Sequence, residues 1–285
     1  MNRVSKNLGS SICVAAIFML ASTAHSEEAS VATGCSDGSK DKVINEISPK
    51  YAHNDFNGIG QDIVEASYTR SSCVGLHDIR WRLEATGSQV SEDAGNNYQG
   101  LVGVGFEIPL LHKLNETKSK SFDFTVTPIA RLGYASFAHA SDQVIAGAAV
   151  TMAVSGDLTD RIPVAANGGG SVPLLMYVAS VRPEYTSYRS VSNTVIGADK
   201  SKASFDVVGD LGLDGALPGD WRWKTSVNYI RTDQDVPWNS IGSLVFGLRK
   251  TNAAHSADKW GVELWYRKGN GGYEGALLGI FYHWS

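Results

Sequence analysis

The C-terminal stretch 275–285, GALLGIFYHWS, constrains the fold more than any other part of the chain. Read as an extended strand, it puts Ala276, Leu278, Ile280, Tyr282 and Trp284 on one face. Gly275, Leu277, Gly279, Phe281, His283 and Ser285 fall on the other. In water, so apolar and aromatic an edge invites uncontrolled pairing. A closed membrane barrel removes that hazard, because lipid covers one face and a neighbouring strand takes each edge.

The N-terminus points the same way. Arg3 and Lys6 precede a nine-residue apolar run, Ile12 to Leu20, and Ala24-His25-Ser26 offers small residues at cleavage positions. This reads as a secretory signal peptide over 1–26, too short in its apolar core to span a bilayer as a helix. Cleavage after Ser26 leaves 259 residues; cleavage after Ala24 is the alternative. Cys35 and Cys73 are then the remaining cysteines, and outside the cytoplasm they are candidates for a disulfide. Two cysteines cannot complete a four-ligand zinc site, and no metal or cofactor is expected.

Removing the signal leaves 23 basic and 29 acidic residues. A mildly acidic chain without a basic block is a poor nucleic-acid ligand. After the signal, no segment approaches eighteen consecutive apolar residues, which excludes a helical membrane protein but not a barrel.

Residues 27–58 read as a polar N-terminal segment or lumen plug, with a weak helical signal over Asp41 to Ile47. Over 59–285 the alternation has period two. The clearest case sets Ile79, Trp81, Leu83 and Ala85 against Arg80, Arg82 and Glu84. About twelve such segments follow one another, with Leu174 to Arg182 and Tyr188 to Ile196 read as two of them. Turn-rich stretches separate many of them, including Ser91 to Asn97 and Thr232 to Asn239. The expected fold is all-β: a closed antiparallel transmembrane barrel of about twelve strands.

Charge placement favours the membrane version over a soluble sandwich. Arg80, Arg82, Glu84, Glu107, Asp123, Arg131, Asp206, Asp210, Arg222, Lys224, Glu263 and Arg267 all fall on the polar faces and are expected to face a lumen. On a lipid face, Arg or Lys at midplane would cost about 2–4 kcal/mol. Tryptophans near strand ends, such as Trp221, Trp260 and Trp284, suit membrane interfaces.

The export signal, the alternating strands and the final GALLGIFYHW resemble an outer-membrane β-barrel of a Gram-negative bacterium. In size the chain resembles an autotransporter-type translocator barrel standing without a passenger. The resemblance implies location in the bacterial outer membrane, contact with its lipids, and recognition by the barrel insertion machinery. Ile280, Tyr282 and Trp284 would carry that recognition, with Ser285 displacing the usual terminal aromatic.

Four roles fit such a barrel: a pore for small polar solutes, a translocator-like scaffold, a lipid-modifying hydrolase, and a loop-based adhesin or receptor. The hydrolase reading rests on His283, with Ser243 or Ser226 as a neighbour across strands; HExxH and GxSxG are absent. The adhesin reading rests on Ser91 to Asn97 and Thr232 to Asn239. A translocator-like or channel-like barrel without enzymatic activity is the preferred expectation.

Overall fold

Where water is excluded, each backbone N–H and C=O must find a partner, and strands do this only by closing on themselves. The computed structural model of the chain describes residues 43–74, 79–92, 95–115, 120–138, 141–163, 171–190, 202–233, 239–251 and 259–284. Among these, twelve antiparallel strands form a closed barrel. They are β1 (Ile44–Phe56), β2 (Ile59–Cys73), β3 (Arg80–Glu92), β4 (Gly95–Asn115), β5 (Lys120–Ser136), β6 (Gln143–Asp157), β9 (Leu175–Ser190), β10 (Lys202–Leu217), β11 (Trp221–Thr232), β12 (Ser240–Thr251), β13 (Lys259–Gly269) and β14 (Tyr273–Trp284). Each pairs with its neighbours in sequence, and β14 returns to β1. Between β6 and β9, β7 (Arg161–Pro163) and β8 (Ser171–Pro173) form a separate two-stranded ribbon. Leu158 N–H donates to Leu175 O at 2.9 Å and Arg222 Nη1 to Pro173 O at 3.2 Å, tying this connection to the barrel rim.

The first strand corrects the sequence reading. Ile44–Phe56 is a wall of the barrel, within the segment expected to be a plug, and Asp41 to Ile47 is not a helix over its described part. Its alternation is hard to see because the outward residues Pro49, His53 and Asp55 are not strongly apolar. A usable signal was present: Asn57-Gly58, both at positive φ (52° and 84°), makes the tight two-residue turn into β2. Leu174 to Arg182 and Tyr188 to Ile196 were expected as two strands, yet β9 is one strand through Pro183. The pairing of β9 with β6 lapses at Arg182 and Pro183, where proline has no N–H to give. The β1–β14 seam lapses likewise at Ser48 and Pro49. One strand gained and one lost leave the count at twelve.

Ser91 to Asn97 is also strand rather than loop, apart from residues 93–94, which lie outside the described residues. Of Thr232 to Asn239, positions 234–238 lie outside them as well. β4 carries a bulge between Pro109 and Leu111.

Burial alternates with the pleat, as in β13 and β14, where each second residue is buried. The outward side carries Val102, Val104, Leu132, Leu211, Val227, Leu244, Leu264 and Leu278, all strongly exposed. Outward charges such as Asp62, Arg70, Arg231, Lys250, Lys268 and Glu274 fall towards strand ends. Outward tryptophans Trp81, Trp221, Trp223, Trp260 and Trp284 gather at the end that bears Ile44 and Trp284. There Trp221 and Trp260 meet edge to face at 5.3 Å, and Lys250 Nζ lies 5.6 Å from the Trp221 ring. Outward tyrosines Tyr51, Tyr98, Tyr134, Tyr185, Tyr229 and Tyr266 lie towards the opposite end. Several hydroxyls there donate to an acid across or beyond the neighbouring strand: Tyr51 to Asp62 at 2.7 Å, Tyr266 to Glu274 at 2.5 Å, and Tyr134 to Asp142. In the connection before β6, the Tyr134 and Ser136 hydroxyls hold the Asp142 carboxyl below its usual range. Two aromatic belts around an uncharged apolar band match the outer surface of a membrane barrel.

Leu211 sits in the middle of β10 and is 64% exposed. Leu211→Arg is expected to destabilise the barrel in liposomes by about 2–4 kcal/mol, measured by urea unfolding. Leu211→Ile should leave the unfolding midpoint nearly unchanged.

Candidate functional site: the charged inner wall

A long charged side chain on the concave face of a barrel needs room, and glycine on the adjacent strand provides it. Arg131 on β5 shows how. In register it lies between Gly103 of β4 and Gly147 of β6, and beyond Gly103 stands Glu84 of β3. With no side chain on either flank, the guanidinium reaches both ways: Nη2 to Glu84 at 3.2 Å and Nη1 to Glu184 of β9 at 2.7 Å. Arg82 Nε donates to Glu84 at 3.1 Å, and Arg182 Nε lies 3.5 Å from Glu184. Five charges from β3, β5 and β9 thus form one network across the intervening strands.

The far side of the barrel repeats the arrangement. Lys50, Gly279, Glu263, Gly247, Lys224 and Asp214 are successive partners from β1 through β14, β13, β12 and β11 to β10. Lys50 lies 3.9 Å from Glu65 on β2. Asp214 takes Arg222 Nε at 2.5 Å and Arg249 Nη2 at 2.6 Å. Trp265, only 1% exposed, donates Nε1 to Glu263 at 3.1 Å, and the Arg267 guanidinium lies 5.4 Å from its ring. The apolar minority of this face, including Ile63, Val90, Phe137, Ile145, Trp265 and Leu277, forms one cluster. Ile129, which interrupts the polar pattern in sequence, is buried on the same side.

Among the residues singled out in the sequence, Arg80, Glu84, Asp123, Arg131, Asp206, Glu263 and Arg267 are buried on the inner side. Arg82, Glu107, Asp210, Arg222 and Lys224 share that side and are half-buried. His112 lies on β4 and bonds Asp123. Sequence reasoning missed Lys50, Glu65, Arg182, Glu184, Asp214 and Arg249 as members of the networks. Lys50 fell in the presumed plug, and Arg182 and Glu184 fell at the presumed break in β9.

The structure does not assemble a hydrolase site around His283. Its Nε2 lies 2.6 Å from Glu46 of β1, and its ring meets Phe281 edge to face. Ser243 is paired with Asn228 and Arg267, and Ser226 donates to Asp210 at 3.2 Å. Neither serine is on a strand adjoining β14. No group of three or more His, Cys, Asp or Glu that could hold a metal is found among the described residues. Cys73 is disulfide-bonded, while Cys35 lies outside the described residues.

Among solved structures, the chain is similar to the translocator domain of the autotransporter NalP from Neisseria meningitidis, with a TM-score of 0.54 and 10% identity over 99% of each chain. The fold is that of the outer-membrane barrels. The transport unit of the autotransporter AIDA-I from Escherichia coli matches with a TM-score of 0.52 and 8% identity, over 87% of this chain and 92% of that one. An outer-membrane channel from Pseudomonas putida matches with 0.53 and 10%, over 86% and 97%. At these identities the likeness is one of fold. No protein-family model and no curated protein matches the sequence.

Gly105 and Gly103 share the inner face of β4 but differ in what a methyl group would meet. At Gly105 it would lie 2.3 Å from Pro128 O, a backbone atom; at Gly103 it would meet the Ile129 and Arg131 side chains at 3.1 and 3.2 Å. Gly105→Ala is expected to cost about 1–3 kcal/mol in urea unfolding, and Gly103→Ala clearly less.

Proposed function

We propose that the chain is a bacterial outer-membrane barrel with a channel-like or translocator-like role, passing small polar solutes along its charged inner wall. The observation that carries this reading is a single wall with two chemistries. Outside, an apolar band lies between aromatic belts; inside, Arg131, Glu84, Glu184, Lys50 and Asp214 line the same strands. A structural barrel needs only the first. Fixed charges of both signs on the inner side suit hydrated solutes and give no strong preference by overall charge.

Outer-membrane lipids contact the band, and the insertion machinery reads the outward Ile280, Tyr282 and Trp284. The export signal over 1–26 delivers the chain, and a short N-terminal segment follows it before β1. A Cys35–Cys73 disulfide would tether that segment near the end of β2.

Planar-bilayer recording of the purified barrel tests the channel role. Discrete conductance steps are expected, and Arg131→Ala should change their size or ion preference. An ion-tight barrel would overturn the channel reading and leave the translocator-like one. Mass measurement after alkylation without reductant should find no free thiol in the processed chain. Two labelled thiols would remove the proposed tether.

A further inference from the structure

Glu184 of β9 and Asp206 of β10 are direct partners in register, so both carboxylates point inward side by side. They are 8% and 7% exposed. Arg131 Nη1 occupies Glu184 Oε1 at 2.7 Å, while Glu184 Oε2 makes no hydrogen bond and has Arg182 Nε at 3.5 Å. The Ser204 hydroxyl lies 3.5 Å from Asp206 Oδ2, and Asp206 Oδ1 makes none. A small internal cavity, with room for about one water, lies against both carboxylates together with Arg131, Thr186 and Tyr188.

The charges around this cavity do not balance. Asp206 stands beside Glu184 and takes side-chain hydrogen bonds from Thr232 and Ser204, with no cationic side chain of its own strand pair against it among the described residues. Arg131 is divided between Glu84 and Glu184, Arg82 is taken by Glu84, and Arg182 lies against Glu184. Of the charged side chains that line the cavity itself, the two carboxylates of Glu184 and Asp206 meet one guanidinium, that of Arg131, which leaves one negative charge over. A buried carboxylate oxygen without a donor is costly, and it is relieved by a proton or a cation. Hard carboxylate and hydroxyl oxygens suit a hard cation. A single positive charge restores balance, where a divalent ion would overshoot it.

We propose that Glu184 and Asp206 bind one sodium-sized alkali cation in this cavity, joining β9 to β10 from within. The site is a property of the folded wall and does not depend on whether the barrel conducts. Its test uses the full folded chain in detergent. Heat unfolding is followed in sodium chloride and in N-methyl-D-glucamine chloride at equal ionic strength, the second cation being far too large for the cavity. A midpoint several degrees higher in sodium is expected, because a ligand bound only by the folded state stabilises it. The protein should also broaden the sodium NMR signal, and lithium or potassium, but not N-methyl-D-glucamine, should relieve the broadening. Asp206→Asn is expected to remove both effects while keeping the folded electrophoretic mobility. If that variant does not fold, Glu184→Gln and the wild-type competition experiment carry the test. Equal midpoints with an unbroadened signal would mean that the carboxylates share a proton instead, and would overturn the proposal. So would a sodium effect that survives in folded Asp206→Asn.

Discussion

When β1 pairs with β14, from Asn45 opposite Trp284 to Phe56 opposite Tyr273, no barrel strand keeps a free edge. Closure satisfies the backbone away from water, and it also separates the side chains of every strand into an outer and an inner population. The two populations then meet different surroundings. Leu211, Leu244 and Leu278 can stay exposed because hydrocarbon is the outer medium, and the buried Arg131 and Glu184 can stay charged because they pair with each other. The aromatic belts mark the two rims where hydrocarbon gives way to water, the boundary that Trp and Tyr rings suit.

Inside, the organising device is alternation around the wall rather than along the strand. Gly103 and Gly147 flank Arg131, and Gly247 and Gly279 flank Glu263. A methyl group would crowd the charged neighbour at Gly103, 3.2 Å from Arg131 Cγ, and at Gly247, 3.3 Å from Glu263 Cγ; at Gly147 it would instead meet Tyr185 O and the Thr186 side chain. The glycines therefore let long side chains lie along the wall and meet partners two strands away. Breaking one member of such a network exposes the others to the cost of buried, unpaired charge.

Much of the wall was legible strand by strand. Within β3, β10 and β13 the alternation of apolar and charged residues gives the two faces directly. It failed in β1, whose outward face carries Pro49, His53 and Asp55, and at Pro183 in β9, where a proline and flanking charges interrupt the pattern without ending the strand. Both failures have one physical root. A strand is held by its neighbours' hydrogen bonds, so a weak local pattern still folds as strand when flanked by strong ones. That Ser226 and Ser243 lie on strands not adjoining β14 was equally out of reach, because strand adjacency is not written in the order of residues alone.

By itself the sequence determined the two-faced strands, their approximate number and the chemistry of each face, because period-two alternation is a local property of an extended backbone. Only the tertiary structure decided which residues meet. Register sets Arg131 between two glycines, brings Glu184 beside Asp206, and places His283 against Glu46. A shift of one residue in the ladder that carries one of those contacts would leave each strand's sequence unaltered and reassign that contact.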